Sequence, residues 1–203
     1  MQTTSPMTLA LGLVSGTLLL WLGYPAAADS TSVGVSFTAD QKATDLDLPK
    51  DEKVKISGSH SFDSGVILGG SAEYTNNAFS DSATVKLEGT IGYRVRLSEL
   101  FSVTGSAGVG ENIQASGSGD DFPYYVLRVG ADVKATENLT WNIVTFRYRD
   151  AFDSDNDFLT PQLATGLSYD LDEHNSISGV AQYNWKEWEP DSVGLELGYK
   201  YRF

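Results

Sequence analysis

The chain has 203 residues, of which 27 are acidic and 14 basic, for a formal net charge of −13, and it contains no cysteine. The absence of cysteine excludes disulfide scaffolds, Cys-based zinc sites, iron–sulfur clusters and thiol nucleophiles. The acidic balance argues against a nucleic acid partner, because a surface that binds phosphates needs clustered Lys and Arg.

The first segment of the chain has the pattern of a secretory signal. Met7 to Tyr24 is uncharged and mostly apolar, and Pro25 and three alanines follow it before Asp29, the first acidic residue. An apolar run that ends in an Ala-x-Ala pattern is typical of a cleaved signal peptide. We therefore expect residues 1–28 to be removed between Ala28 and Asp29, in preference to acting as an uncleaved membrane anchor.

Most of the remaining chain alternates between apolar and polar residues. The clearest example is 193–203, where the odd positions are apolar or aromatic and the even positions are Gly or charged. The same period of two occurs in 83–97, 125–133 and 159–171. This pattern predicts β-strands with one apolar and one polar face. The runs are longer than the ~5–6 residues usual in soluble strands.

The connections between these strands fall into two classes. The short ones recur at a regular interval and have turn-forming residues, while the longer ones are rich in Asp, Asn, Ser and Gly, as solvated loops are. This layout predicts ten strands, with eight as the alternative. The short connections are expected at 63–65, 98–100, 136–138 and 172–174, and the longer ones at 41–52, 76–82, 112–122 and 150–158, with a shorter one near 187–191.

The length of the strands favours a membrane barrel over a soluble one. A tilted strand needs roughly 9–11 residues to cross a bilayer. Every backbone polar group must be paired in lipid, so a sheet that spans it has to close on itself. We expect residues 29–203 to form an all-β fold, a ten-stranded antiparallel up-and-down transmembrane β-barrel.

The end of the chain carries a family resemblance. The segment VGLELGYKYRF, residues 193–203, resembles the carboxy-terminal strand of bacterial outer-membrane β-barrel proteins, with Tyr199, Tyr201 and Phe203 as the assembly signal. The resemblance implies recognition by the barrel-assembly machinery, contact with outer-membrane lipid and lipopolysaccharide, and periplasmic termini in a Gram-negative envelope. Within this class, the small monomeric porins for acidic oligosaccharides are similar in their short strands and basic lumens.

If the apolar face contacts lipid, the charged positions of the strands face the lumen. A cation on the lipid face costs about 2–4 kcal/mol at the midplane, which explains the segregation. Arg147 and Arg149 also face the lumen if Phe146 and Tyr148 point outward. Trp141 and Ile143 then require a bulge near residue 143. The lumen-facing candidates are Lys53, Lys55, Glu73, Lys86, Glu88, Arg94, Arg96, Arg128, Asp132, Lys134, Arg147, Lys186, Glu196, Lys200 and Arg202.

The lumen pattern predicts a narrow passive pore for small anionic solutes, since many Ser and Gly residues share the charged face. The alternative is a non-conducting surface barrel with a structural or adhesion role through acidic loops, because a small barrel can be filled by its own side chains.

An enzyme is not expected. The only histidines, His60 and His174, lie near short turns, away from the extracellular rim where an outer-membrane hydrolase needs its base. Asp153, Asp155 and Asp157 have the spacing that begins a calcium loop, but Phe158 stands where that loop needs Gly and Ala164 where it needs Glu. These aspartates are weak metal candidates, and we predict no cofactor.

Overall fold

A computed structural model describes residues 30–203, and the predicted signal peptide therefore lies outside the described residues. Within this range the chain forms ten strands, each antiparallel to its neighbours in sequence, and β1 pairs with β10 to close the barrel. The prediction of a ten-stranded up-and-down barrel is confirmed. The strands are β1 (Ser30–Lys42), β2 (Asp45–Ser61), β3 (Val66–Asn77), β4 (Ala83–Arg96), β5 (Phe101–Ser116), β6 (Phe122–Lys134), β7 (Leu139–Ala151), β8 (Gln162–Asp170), β9 (Asn175–Lys186) and β10 (Glu189–Arg202).

The apolar side chains lie on the outside of the barrel. Leu197 is 69% exposed, Leu195 66% and Val109 60%, and each is one of the alternating apolar positions. Few large apolar side chains are buried within residues 30–203, and Tyr124 and Val126 are the most enclosed. An apolar surface of this extent needs an apolar surrounding, because its exposure to water is unfavourable. Residues 30–203 contain no helix that is long and apolar enough to cross a membrane.

One end of the barrel, here called the turn end, carries the four short connections and both ends of the described chain. The turns follow the predicted positions, between β2 and β3, β4 and β5, β6 and β7, and β8 and β9. Local acceptors close them: Asp172 accepts hydrogen bonds from the backbone of His174 and from the backbone and side chain of Asn175. The Asn175 side chain and then the two backbone donors hold the pKa of Asp172 below its usual value.

At the opposite end, the loop end, one predicted loop is wrong. The segment 41–52 belongs to a hairpin, with β1 ending at Lys42 and β2 starting at Asp45. Its polar side chains suggested a loop, but polar residues also occur in paired strands that extend into water. The shorter connection predicted near 187–191 is confirmed as a tight hairpin turn between β9 and β10. In it, Glu187 and Trp188 have positive φ angles of 49° and 65°, as a two-residue turn of this kind requires.

The other three loops lie near their predicted places. They connect β3 to β4, β5 to β6 and β7 to β8, and the first two are shorter than predicted because the flanking strands continue further. The last is longer, because 159–161 belong to it and not to the strand as expected. The loops occupy 78–82, 117–121 and 152–161.

The predicted bulge near residue 143 is confirmed. The register of β7 shifts against β6 between Ala131 and Asp132, and against β8 between Asn142 and Thr145. The Asn142 amide donates to Asp132 at 2.8 Å, and the Thr145 hydroxyl donates to the Asn142 side-chain oxygen at 3.0 Å. These bonds hold the bulge from inside the barrel and let Arg147 and Arg149 point inward.

Candidate functional site: the barrel lumen

The registers of the strands place twelve basic and seven acidic side chains on the inner face of the described barrel. All fifteen sequence candidates are among them, together with Arg149. The prediction missed Asp40 and Asp51, because it assigned the residues around them to a loop. The inward basic residues are Lys53, Lys55, Lys86, Arg94, Arg96, Arg128, Lys134, Arg147, Arg149, Lys186, Lys200 and Arg202, and the acidic ones are Asp40, Asp51, Glu73, Glu88, Asp132, Asp170 and Glu196. The ion-paired Lys50 and Asp191 also line the lumen, at irregular positions of β2 and β10.

The Glu88 carboxylate is the centre of the most buried charge cluster. It accepts from Arg128 at 2.5 Å and from Arg149 at 3.3 Å, and the side chains of Glu88 and Arg149 are only 5% and 6% exposed. The Tyr124 hydroxyl donates to the same carboxylate at 3.4 Å, and the Arg149 guanidinium lies 5.2 Å from the Tyr124 ring centre. The cluster fills part of the cross-section of the barrel and fixes two arginines in one geometry.

Tyr124 enters the lumen because the residue facing it has no side chain. Gly110 is its partner on β5, and a Cβ at that position would lie 2.6 Å from the Tyr124 hydroxyl. Phe158, from the loop between β7 and β8, packs on the same ring with centroids 5.1 Å apart. Tyr124 was not among the sequence candidates, since a single tyrosine on the polar face carries no distinct signal.

The opposite wall of the lumen holds a network of neutral amides. Lys53 pairs with Asp40, and Gln182 donates to the same aspartate at 3.2 Å. Gln162 donates to Gln182 at 2.6 Å and to Asn184 at 2.8 Å. Each of these amides is buried. The network gives hydrogen-bond partners to polar groups that would be costly to bury alone. These residues were not among the sequence candidates, although Gln and Asn at lumen-facing positions of the strands were a signal for them.

Four further candidates lie toward the loop end of the lumen. The Lys86 ammonium is 3.9 Å from the Glu73 carboxylate. Glu196 accepts a hydrogen bond from the Thr38 hydroxyl at 3.3 Å. Lys186 is exposed at the mouth of the barrel. The loop end of the lumen therefore combines paired charges in its interior with a solvated cation at its rim.

Two cavities remain between these groups. The larger has a volume of about 300 Å³ and lies toward the loop end, with Lys86, Arg147, Gln162 and other polar residues around it. The smaller, of about 150 Å³, is lined largely by small residues of β2 and β3. Lys55 and Arg128 line both cavities. These two side chains therefore stand at the division between the two spaces.

The turn end of the lumen is more open and carries mainly cations. Arg94 donates to the Thr104 hydroxyl at 3.3 Å, and Arg202 pairs with Asp170 at 2.7 Å. Arg96 and Lys134 are exposed there. Lys200 and Asp132 also face inward at this end. The lumen thus passes from a densely paired loop end to a vestibule at the turn end with excess positive charge.

The two histidines lie at the turn end. His60 is on the outer face, where its Nδ1 is 2.9 Å from the Thr31 hydroxyl, and His174 is in the last short turn, with its Nδ1 2.9 Å from the Arg202 carbonyl. Their positions match the sequence prediction, and the absence of an enzymatic role stays a prediction.

The aspartates that resembled a calcium loop lie in the loop between β7 and β8. The Asp155 backbone donates to the Asp153 carboxylate at 3.0 Å, and Asp157 lines the larger cavity. Within residues 30–203, no group of three or more His, Asp or Glu side chains has an arrangement suited to a metal ion.

The carboxy-terminal residues close the barrel at the turn end. Tyr199 and Tyr201 pair in register with Val35 and Val33 of β1, and the Phe203 backbone donates to the Thr31 carbonyl at 3.0 Å. Tyr199 and Phe203 are exposed on the outer surface. The last strand therefore presents exposed aromatic side chains on the outer surface of the barrel at its turn end.

The barrel is similar in structure to solved outer-membrane channels. The NanC porin aligns with a TM-score of 0.54 at 8% identity, over 83% of this chain and 98% of its own. An outer-membrane channel from Pseudomonas putida F1 also aligns with a TM-score of 0.54 at 8% identity, over 89% of this chain and 97% of its own. The resemblance to outer-membrane β-barrel proteins is thus confirmed for the fold. No protein-family model matches the chain, and no curated protein matches it in sequence.

Proposed function

We propose that this protein is a narrow passive pore of the bacterial outer membrane that favours small anionic solutes. The observation that carries the proposal is the separation of the two barrel faces. The outside is apolar and exposed, while the inside holds twelve basic against seven acidic side chains. A closed barrel with this separation can span lipid and offer a polar, net positive path.

The two cavities support a conducting path over a solid interior. They lie in the same lumen and are divided by Lys55 and Arg128, both of which are long side chains with rotatable stems. The smaller cavity is bordered by Ser57, Gly69 and Ser71, which leave space that larger residues would fill. Arg128 is held by Glu88, so movement of the Lys55 side chain, without any change of the backbone, would join the two spaces.

The preference for anions follows from the vestibule at the turn end. Arg96 and Lys134 are exposed, and Arg94 is held by a neutral hydroxyl. Unpaired cations in a confined passage raise the local concentration of anions and repel cations. Salt would weaken this preference, because the Debye length falls to ≈ 3 Å at 1 M.

A non-conducting surface barrel is the second candidate. The Glu88 cluster and the buried amide network favour it, because together they occupy much of the lumen at the loop end. In this case the acidic loops would carry a structural or adhesion role. Asp120 and Asp121 lie in one such loop, and Asp153 and Asp155 in another.

The orientation and the partners belong to the same proposal. The turn end, with both ends of the barrel strands, would face the periplasm, and the loops would face outward, in contact with lipopolysaccharide. Tyr199, Tyr201 and Phe203 would be recognised by the barrel-assembly machinery, since they form an exposed aromatic edge on the closing strand.

The test is single-channel recording of the purified protein in a planar bilayer under a KCl gradient. We expect discrete steps and a reversal potential of the sign that anion preference gives. The double variant Arg94→Gln/Arg96→Gln should shift that potential toward zero, while Lys42→Gln, in the hairpin at the loop end, should not.

Two results would contradict the proposal. A folded barrel that inserts but stays silent would favour the non-conducting candidate. Steps with cation preference would keep the pore but refute the role of the basic lumen.

A further inference from the structure

Two cations in the interior of the larger cavity make no ion pair with the described residues. Most basic residues around this space are paired within residues 30–203, whereas Lys55 and Arg147 make no ion pair there. Lys186 also has none, but it is exposed at the mouth and solvated. The paired ones are Lys50 with Asp191, Lys53 with Asp40, Lys86 with Glu73, and Arg128 and Arg149 with Glu88.

Arg147 is the more unusual of the two. Its Nε is buried and has no hydrogen-bond partner among the described residues. Its neighbour across the β6–β7 ladder is Arg128, a like charge that is itself held by Glu88. Buried polar groups are nearly always paired, and an unpaired one commonly marks the place of a water or an ion. An anion is the partner that a guanidinium in this position lacks.

Lys55 and Arg147 extend from opposite walls. Lys55 is on β2 and Arg147 on β7, five strands away in the closed order. Both line the larger cavity, and Lys55 also lines the smaller one. At the boundary of the two cavities a solute therefore meets the Lys55 ammonium, which makes no ion pair because its cross-strand neighbour Glu73 pairs with Lys86. It meets the Arg147 guanidinium within the larger space.

We infer that the larger cavity is a binding site for a small dicarboxylate, with Arg147 and Lys55 as its two cationic ligands. Arg147 would bind one carboxylate through the Nε edge of its guanidinium, whose two parallel donors match the two oxygens. Lys55 would bind the second carboxylate from the opposite wall. As a transport site it rests on the proposed function, since the bound solute would lie on the path through the barrel.

The size of the cavity limits the solute. A volume of about 300 Å³ holds roughly ten water molecules at ≈ 30 Å³ each. Gln162, Gln182 and Asn184 surround it with amide groups, which suit a polar ligand and disfavour an apolar one. A dicarboxylate of about four carbons fits both limits.

The test is isothermal titration calorimetry of the purified protein in detergent, with succinate, acetate and the neutral isostere succinamide as probes. We expect succinate to bind more tightly than acetate, and succinamide not to bind. Arg147→Gln and Lys55→Met should each weaken succinate binding at least tenfold, and Arg147→Lys should fall between Arg147→Gln and the native protein. Lys42→Met, outside the cavity, should bind as the native protein does.

Heat-modifiable migration on gels checks that each variant folds. Equal succinate affinity in folded Arg147→Gln and native protein would overturn the site, as would the absence of succinate binding to the native protein. Planar-bilayer recording separates this from the proposed function. Binding without conductance refutes the pore and keeps the site, whereas anion conductance without succinate binding keeps the pore and refutes the site.

Discussion

The Glu88 cluster gives the sharpest prediction for stability. Glu88→Gln keeps the size of the side chain but removes the negative charge between two guanidinium groups. In the native protein the carboxylate lies 2.5 Å from Arg128 and 3.3 Å from Arg149. The variant leaves Arg149 buried beside a neutral amide, whose oxygen can accept a hydrogen bond but cannot balance the positive charge.

The magnitude follows from the burial of the partners. Removing one member of a buried ion pair costs about 3–5 kcal/mol, because the remaining charge is left uncompensated. Arg149 is 6% exposed and meets this condition, while Arg128 is 22% exposed and can be partly solvated by lumen water. We therefore expect Glu88→Gln to lower the free energy of unfolding by about 3 kcal/mol, the lower end of the range.

Glu73→Gln provides the matched comparison. Glu73 is on the neighbouring strand, faces the same lumen, and has a single ion pair, to Lys86, at 3.9 Å. This pair is longer than the two at Glu88, and its side chains are 14% and 15% exposed, so we expect Glu73→Gln to lower the free energy of unfolding by less than Glu88→Gln does. The assay is equilibrium urea unfolding of both variants in the same lipid vesicles, followed by tryptophan fluorescence. An effect of Glu88→Gln no larger than that of Glu73→Gln would refute the reasoning.

Three further predictions concern other parts of the barrel. Gly110→Ala should destabilise the barrel by about 1–3 kcal/mol through overpacking against Tyr124, as measured by urea unfolding, while Gly105→Ala on the outer face of the same strand, where a Cβ meets nothing within 4 Å, should not. Asp172→Ala should lower the urea midpoint at pH 7. Because the pKa of Asp172 is lowered in the folded state, the stability that the carboxylate contributes is lost as pH falls through that pKa. A difference between the variant and the native protein that persists below this pKa would contradict the role of the carboxylate in the turn. Phe203→Ala should reduce the folded fraction in outer membranes without changing refolding in detergent, since its side chain is exposed; equal loss in both assays would indicate a purely structural role.

The sequence by itself determined the architecture. A strand repeats every two residues, so 193–203 shows which positions share a face without any knowledge of the partner strand. The short turns were equally readable, because residues such as Asp172 act on backbone groups two or three positions away. The bulge near residue 143 followed from the same alternation, since one extra residue reverses the phase.

Composition was a weaker guide at the loop end. The segment 41–52 is polar and was predicted to be a loop, yet most of it continues two paired strands. The strands in this segment are paired through backbone hydrogen bonds and have no apolar face, so the side chains do not indicate a strand. The inward positions of Asp40 and Asp51 were missed for this reason.

Only the tertiary structure decided which lumen charges are paired. Glu88 meets Arg128 and Arg149 across strands that are far apart in sequence, and the same closure leaves Lys55 and Arg147 without an ion pair in the described barrel. Alternation gives the face of a side chain, but its neighbours depend on the register and on the closure of the ring. Because a Coulomb interaction depends on distance and on local burial, the pattern of charges along the sequence could predict a basic lumen but not the position of its unpaired cations.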